Sequence, residues 1–142
     1  MATTRNAHAG WIGDLPTGAG QVSLDSSGAG SFDVTWKARA EAAEGKTSPE
    51  ELIAAAHASC FAMAFSNELS EAGHAADYVN TSAAVTFVPG TGITTSHLTL
   101  ATRIPGISQE DFERIANGAK AGCPVSAALA GIEITLEATL DA

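Results

Sequence analysis

The amino-acid sequence predicts an α+β fold in which antiparallel-rich sheets pack on a central hydrophobic helix. Three observations carry this reading: a strongly apolar helix that starts at Ser48, two long strands joined across Pro89-Gly90-Thr91-Gly92, and a second helix after Ser108 that leads into a last alternating strand. The resulting order, β-β-α-β-β-α-β, is not that of a dinucleotide-binding βαβ sheet. With 142 residues, positions 1–142 are expected to form a single domain that needs no disulfide staples.

Gly-Ala-Gly at 18–20 and again at 28–30 marks turns around a short strand at 20–24, without the context of a phosphate-binding glycine loop. Phe32, Val34 and Trp36 alternate with Asp33, Thr35 and Lys37, which predicts a half-buried strand whose charged face Arg39 extends. At the first long helix Ser48 caps, Pro49 takes the first position and Glu51 completes a capping box. Glu50 has no capping role and adds negative charge at the positive helix end. The run from Leu52 through Phe65 is apolar around much of its circumference, as in a helix that is central or lies in an interface.

That helix is expected to end near Gly73, followed by strands at 78–88 and 93–103. In the helix after Ser108, Phe112 and Ile115 lie on the apolar side and Asp111 sits near the third position. Gly122-Cys123-Pro124 interrupts it, and a short helix through Leu129 places Cys123 near open backbone N–H groups that favour a thiolate. Ile132, Ile134 and Leu136 form the last strand.

Composition removes several function classes. Sixteen acidic residues against seven basic ones give a net charge of −9, which disfavours a nucleic-acid partner. No run resembles a membrane span or a signal peptide, so a cytoplasmic protein is expected. Two cysteines and four scattered histidines, with neither CxxC nor HExxH, give no metal-binding pattern. In a reducing compartment the cysteines are expected to be thiols or transient redox partners.

Chemistry therefore concentrates on Cys60 and Cys123, 63 positions apart. Brought together they form a dithiol; apart, each reads equally well as a small buried hydrophobe. His57, three residues before Cys60, offers a cysteine-hydrolase alternative, but no orienting group or oxyanion site is evident. Satisfied polar packing is the plainer role for His57, and His8, His74 and His97 suit ordinary turn or strand-surface positions. Glu50 and Cys60 share a helix sector but are separated by about 15 Å along a regular axis, so Glu50 orients rather than reacts. Phe61, Met63 and Phe65 are candidates for a pocket or for the core, with Trp11, Trp36 and Tyr78 as further apolar candidates.

TSPEELIAAAHASCFAMAF together with AKAGCPVSAAL closely resembles the OsmC/Ohr family of thiol-dependent hydroperoxide reductases, across essentially the whole chain. PEELIAAAHASCF and HAGWIGDLPTGAGQVS place the resemblance nearer the OsmC branch. The resemblance implies an intertwined homodimer with active sites at the subunit interface. It also implies that Cys60 is the peroxidatic cysteine, Cys123 the resolving one, and Glu50 the carboxylate that pairs with an arginine, matched here by Arg39. By the same resemblance, Gly18 or a near neighbour stands where the Ohr branch carries its early arginine.

The chemistry so implied is reduction of organic hydroperoxides to alcohols through a Cys60 sulfenic acid and a Cys60–Cys123 disulfide, reset by a dithiol or lipoyl-protein reductant. It needs no metal, haem, flavin or nicotinamide cofactor. The alternative from another class is a nonenzymatic redox-sensing or stress-binding dimer.

Overall fold

The computed structural model describes residues 1–142, which group into two compact units, Met1–Leu52 and Ile53–Ala142. No helix is long and apolar enough to cross a membrane.

The first unit is built on an antiparallel sheet in the order β1 (Ala7–Ile12), β2 (Ala19–Leu24), β3 (Ser31–Val34). Strand β1 lies in a stretch expected to be turns; all six of its residues are exposed, so it shows no inside-outside alternation to read. Trp11 lies across β2, and a Cβ at Gly20 would come within 2.7 Å of its ring. A Cβ at Gly18 would sit 2.3 Å from the Asp14 carbonyl oxygen. A side chain at position 18 is therefore sterically excluded.

After β3 the structure departs from the expected strand. Residues Trp36–Ala40 form a short helix, α1, because Thr35 caps it: its hydroxyl accepts from the Ala38 N–H at 3.1 Å. Arg39 is thus a helical residue rather than the extension of a strand face. The chain then returns to β3, where the Thr47 N–H donates to the Asp33 carbonyl at 2.9 Å, and enters α2 (Pro49–Glu71).

The expected capping box at α2 is half realised. Ser48 Oγ accepts from the Glu51 N–H at 3.2 Å, whereas the Glu51 carboxylate accepts from the Thr47 hydroxyl at 2.6 Å. At the other end Gly73 adopts φ +82°, and the N–H groups of Gly73 and His74 close on the carbonyls of Ser70 and Leu69. This is a Schellman stop, which the glycine permits.

The second unit is a sheet in the order β4 (Tyr78–Val88), β5 (Gly92–Arg103), β6 (Glu133–Leu140); β4–β5 is antiparallel and β5–β6 parallel. The parallel pairing requires a crossover, supplied by α3 (Gln109–Gly122) and α4 (Pro124–Ala128). Ser108 caps α3 by accepting from the Asp111 N–H at 3.1 Å, as expected. His57, Phe61, Phe65 and Leu69, at four-residue spacing on α2, are buried in this unit. They meet Leu98 and Leu100 of β5 and Phe112, Ile115 and Ala119 of α3; Phe65 and Phe112 contact edge to face at 6.2 Å. The opposite face of α2, with Ala55, Ala56, Ser59 and Met63, is exposed in the single chain.

Candidate active site

In the first unit, the end of α1 and the start of α2 bring Arg39 to Glu50. Arg39 Nε donates to both carboxylate oxygens, at 3.0 and 3.2 Å, and Nη2 lies 2.9 Å from Oε1. The carboxylate is 7% exposed and the guanidinium side chain 32%, so a nearly buried anion holds a half-wet cation in a fixed fork. Lys37, the other cation nearby in sequence, pairs loosely with Glu44 at 3.7 Å. Arg39 also borders an open apolar hollow of about 440 Å³, lined by Trp11, Leu15, Val22, Trp36 and Leu52. Of the aromatic and sulfur-containing pocket candidates on α2, Phe61 and Phe65 belong instead to the core, and Met63 is 71% exposed.

In the second unit the two cysteines meet. Cys60 is half-buried on α2; Cys123 is fully buried where α3 gives way to α4. Pro124 causes that break: it has no N–H to continue α3 and holds Cys123 extended, at φ −62° and ψ 124°. The two thiols lie close enough for each to shift the proton affinity of the other.

Burial, reinforced by the hydrogen bond with Cys123, pushes the Cys60 thiol above its ordinary value, against a smaller opposing contribution from the Val125 backbone. At Cys123 burial also pushes upward. Hydrogen bonding from Cys60, from the Ser126 N–H and hydroxyl and from the Val125 N–H outweighs it, leaving that thiol lowered. None of these forms a side-chain cap of usual geometry on α4. The more accessible sulfur is therefore not the one that best holds the anion.

His57 is fully buried, with Nδ1 2.6 Å from Ser96 Oγ and Nε2 2.8 Å from Ser126 Oγ. Both ring nitrogens are engaged away from Cys60, and burial lowers the imidazole's proton affinity. These features run against the hydrolase alternative, in which His57 takes the Cys60 proton. Ser96 and Ser126 lie 39 and 69 positions from His57 and carried no sequence signal beyond being polar. Elsewhere His8 pairs with Asp25, and His97 with Thr135.

Comparison with known proteins fits this arrangement. The sequence profile of the OsmC-like protein family matches residues 41–137. Peroxiredoxin OsmC of Escherichia coli (strain K12) is 41% identical over 140 residues, covering 96% of each chain. This chain belongs to the OsmC-like family.

The fold agrees with solved structures. The organic hydroperoxide resistance protein OhrB of Bacillus subtilis superposes with a TM-score of 0.65 at 24% identity, covering 94% of this chain and 98% of that one. An organic hydroperoxide resistance protein from Elizabethkingia anophelis superposes at 0.69, also 24% identical, over 99% and 100%. This OsmC-like chain brings its two cysteines close together and pairs Arg39 with Glu50.

Proposed function

We propose that this protein is a thiol-dependent peroxidase that reduces organic hydroperoxides at Cys60 and resolves through Cys123. The observation that carries the proposal is the contact between one half-accessible and one buried thiol, contributed by helices 63 positions apart, in an OsmC-like chain.

In the first step the Cys60 proton passes to a Cys123 thiolate, and the Cys60 thiolate so formed attacks the terminal peroxide oxygen. A sulfur–oxygen bond forms, the O–O bond breaks, and the alkoxide takes the proton that Cys123 received, leaving as alcohol and returning Cys123 to the thiolate. Cys60 becomes a sulfenic acid. Arg39, oriented by Glu50, is proposed to stabilise charge on the departing oxygen. The Cys123 thiolate then attacks Cys60 Sγ, and the displaced hydroxide takes a solvent proton to become water. An external dithiol or a lipoyl protein reduces the disulfide and is itself oxidised.

The names of the structural neighbours, organic hydroperoxide resistance proteins, support an organic peroxide as the substrate rather than hydrogen peroxide. The exposed apolar face of α2 supports a homodimer, and the free thiols suit the cytoplasm.

The deciding experiment is steady-state consumption of cumene hydroperoxide with dithiothreitol or a lipoyl reductant. Saturable turnover is expected, abolished in Cys60→Ser. Cys123→Ser is expected to oxidise once and to retain a trappable Cys60 sulfenic acid. Folded, reduced protein that oxidises reversibly yet sustains no turnover with either reductant would make it a redox sensor instead.

A further inference from the structure

The two-thiol chemistry makes no direct use of His57, a buried titratable group, yet a continuous set of contacts joins the two. Nδ1 is bonded to Ser96 of β5 and Nε2 to Ser126 of α4. Ser126 stands in the first turn of α4, three positions after its N-cap Cys123, and both its hydroxyl and the Cys60 thiol act on Cys123. His57 and Ser96 are fully excluded from solvent and Ser126 is 7% exposed, so bulk water does not substitute for these partners.

Each hydroxyl has one proton, so the links are not independent. With neutral His57 protonated on Nε2, Ser96 donates to Nδ1 and Nε2–H donates to the Ser126 oxygen. The Ser126 proton then points to the Cys123 sulfur. With the proton on Nδ1 the chain reverses: Ser126 donates to Nε2 and offers Cys123 only an acceptor, which suits a thiol. Burial keeps the imidazole uncharged, so the tautomer is the variable.

We infer that His57 is a positioning residue for the resolving step: by donating from Nε2 to Ser126 it holds the Ser126 hydroxyl as a donor to Cys123, favouring the thiolate that closes on oxidised Cys60. Its purpose rests on the peroxidase reading; the hydrogen-bond chain does not.

The test is a pH titration of thiolate ultraviolet absorbance in Cys60→Ser protein, where Cys123 is the remaining thiol, with the Cys60→Ser/Cys123→Ser signal subtracted. Adding Ser126→Ala is expected to raise the midpoint by about one pH unit. His57→Asn, whose amide ends near the Nδ1 position and does not reach Ser126, raises it likewise. His57→Gln, whose amide extends to the Nε2 position, brings it back toward the parent. Ser96→Ala removes the donor to Nδ1 without altering the imidazole, and also raises it.

In otherwise unaltered protein given hydroperoxide, Ser126→Ala is expected to form the disulfide about tenfold more slowly while sulfenic acid accumulates. A midpoint unmoved by Ser126→Ala overturns the inference. So does a shift that His57→Asn does not share or that His57→Gln does not relieve. Failure of the peroxidase reading registers separately, as reduced wild-type protein that forms neither sulfenic acid nor disulfide whatever the titration gives.

Discussion

The two units of the chain bury different things. In Ile53–Ala142 the interior is a continuous set of aromatic and aliphatic side chains, and the polar groups within it are uncharged and hydrogen-bonded, His57 with Ser96 and Ser126, and Thr102 to the Tyr78 carbonyl. In Met1–Leu52 the buried residues are Ala38, Thr47 and Glu50, while Trp11, Leu15 and Phe32 remain open. Solvation accounts for the difference. A charge is costly to bury without an opposing charge, so the anion of the first unit is held by an arginine that keeps contact with water. The second unit tunes its thiols with uncharged donors. A three-stranded sheet with so little covered apolar surface also has little stability of its own.

The sharpest way to break this contrast is to remove one aromatic ring from each unit. Phe112→Ala deletes a fully buried ring and is expected to lower the unfolding free energy by about 3–5 kcal/mol, while Phe32→Ala, at a 42% exposed residue, costs less than about 1 kcal/mol. Urea midpoints at constant m-value measure both, and equal losses would refute the contrast. Next comes Arg39→Met, which strands the Glu50 carboxylate. Its cost is expected near 2 kcal/mol, between the exposed and buried limits, because the cation is partly solvated. Adding Glu50→Gln should recover part of that loss, whereas Arg39→Lys restores little because both Nε and Nη2 are in use.

The smallest effect is the pH dependence of the second unit. Burial depresses the folded-state pKa of His57 below its unfolded value, so unfolded chains take up a proton that folded ones refuse. The resulting stability is fully present above the ordinary histidine range and declines as pH falls from about 6.5 toward the depressed folded value. His57→Gln should flatten that part of the urea-midpoint profile against pH.

These contrasts also explain what the sequence made legible. Local signals survived into the structure: Ser48-Pro49 and Ser108 start helices, Gly73 stops one, and the turn at 89–91 joins β4 to β5 with its Thr91 N–H on the Val88 carbonyl. Strand β1 was missed because no face of it is buried. Alternation through Trp36 suggested a strand, but Thr35 capping won. The two cysteines stood out as the chain's only thiols, and the pairing of Arg39 with Glu50 that the family resemblance implied is present. The serine partners of His57 were not readable, since hydroxyls are common and the contacts arise only when β5, α2 and α4 pack. Long-range closure likewise hid the contacts at the chain end, where Tyr78 donates to Asp141 and Arg103 lies 5.4 Å over the Tyr78 ring.

The contact between Cys60 and Cys123 has a consequence for chain entropy. A bond there would tie off a loop holding β4, β5 and α3, and closing a loop of that length restricts the unfolded ensemble by about 4 kcal/mol. The oxidised protein is therefore the harder one to melt. By the same linkage the folded state favours keeping the disulfide, and a reductant must work against the fold as well as the bond. A rise in melting temperature would record the oxidation state of the protein without any assay of the peroxide itself.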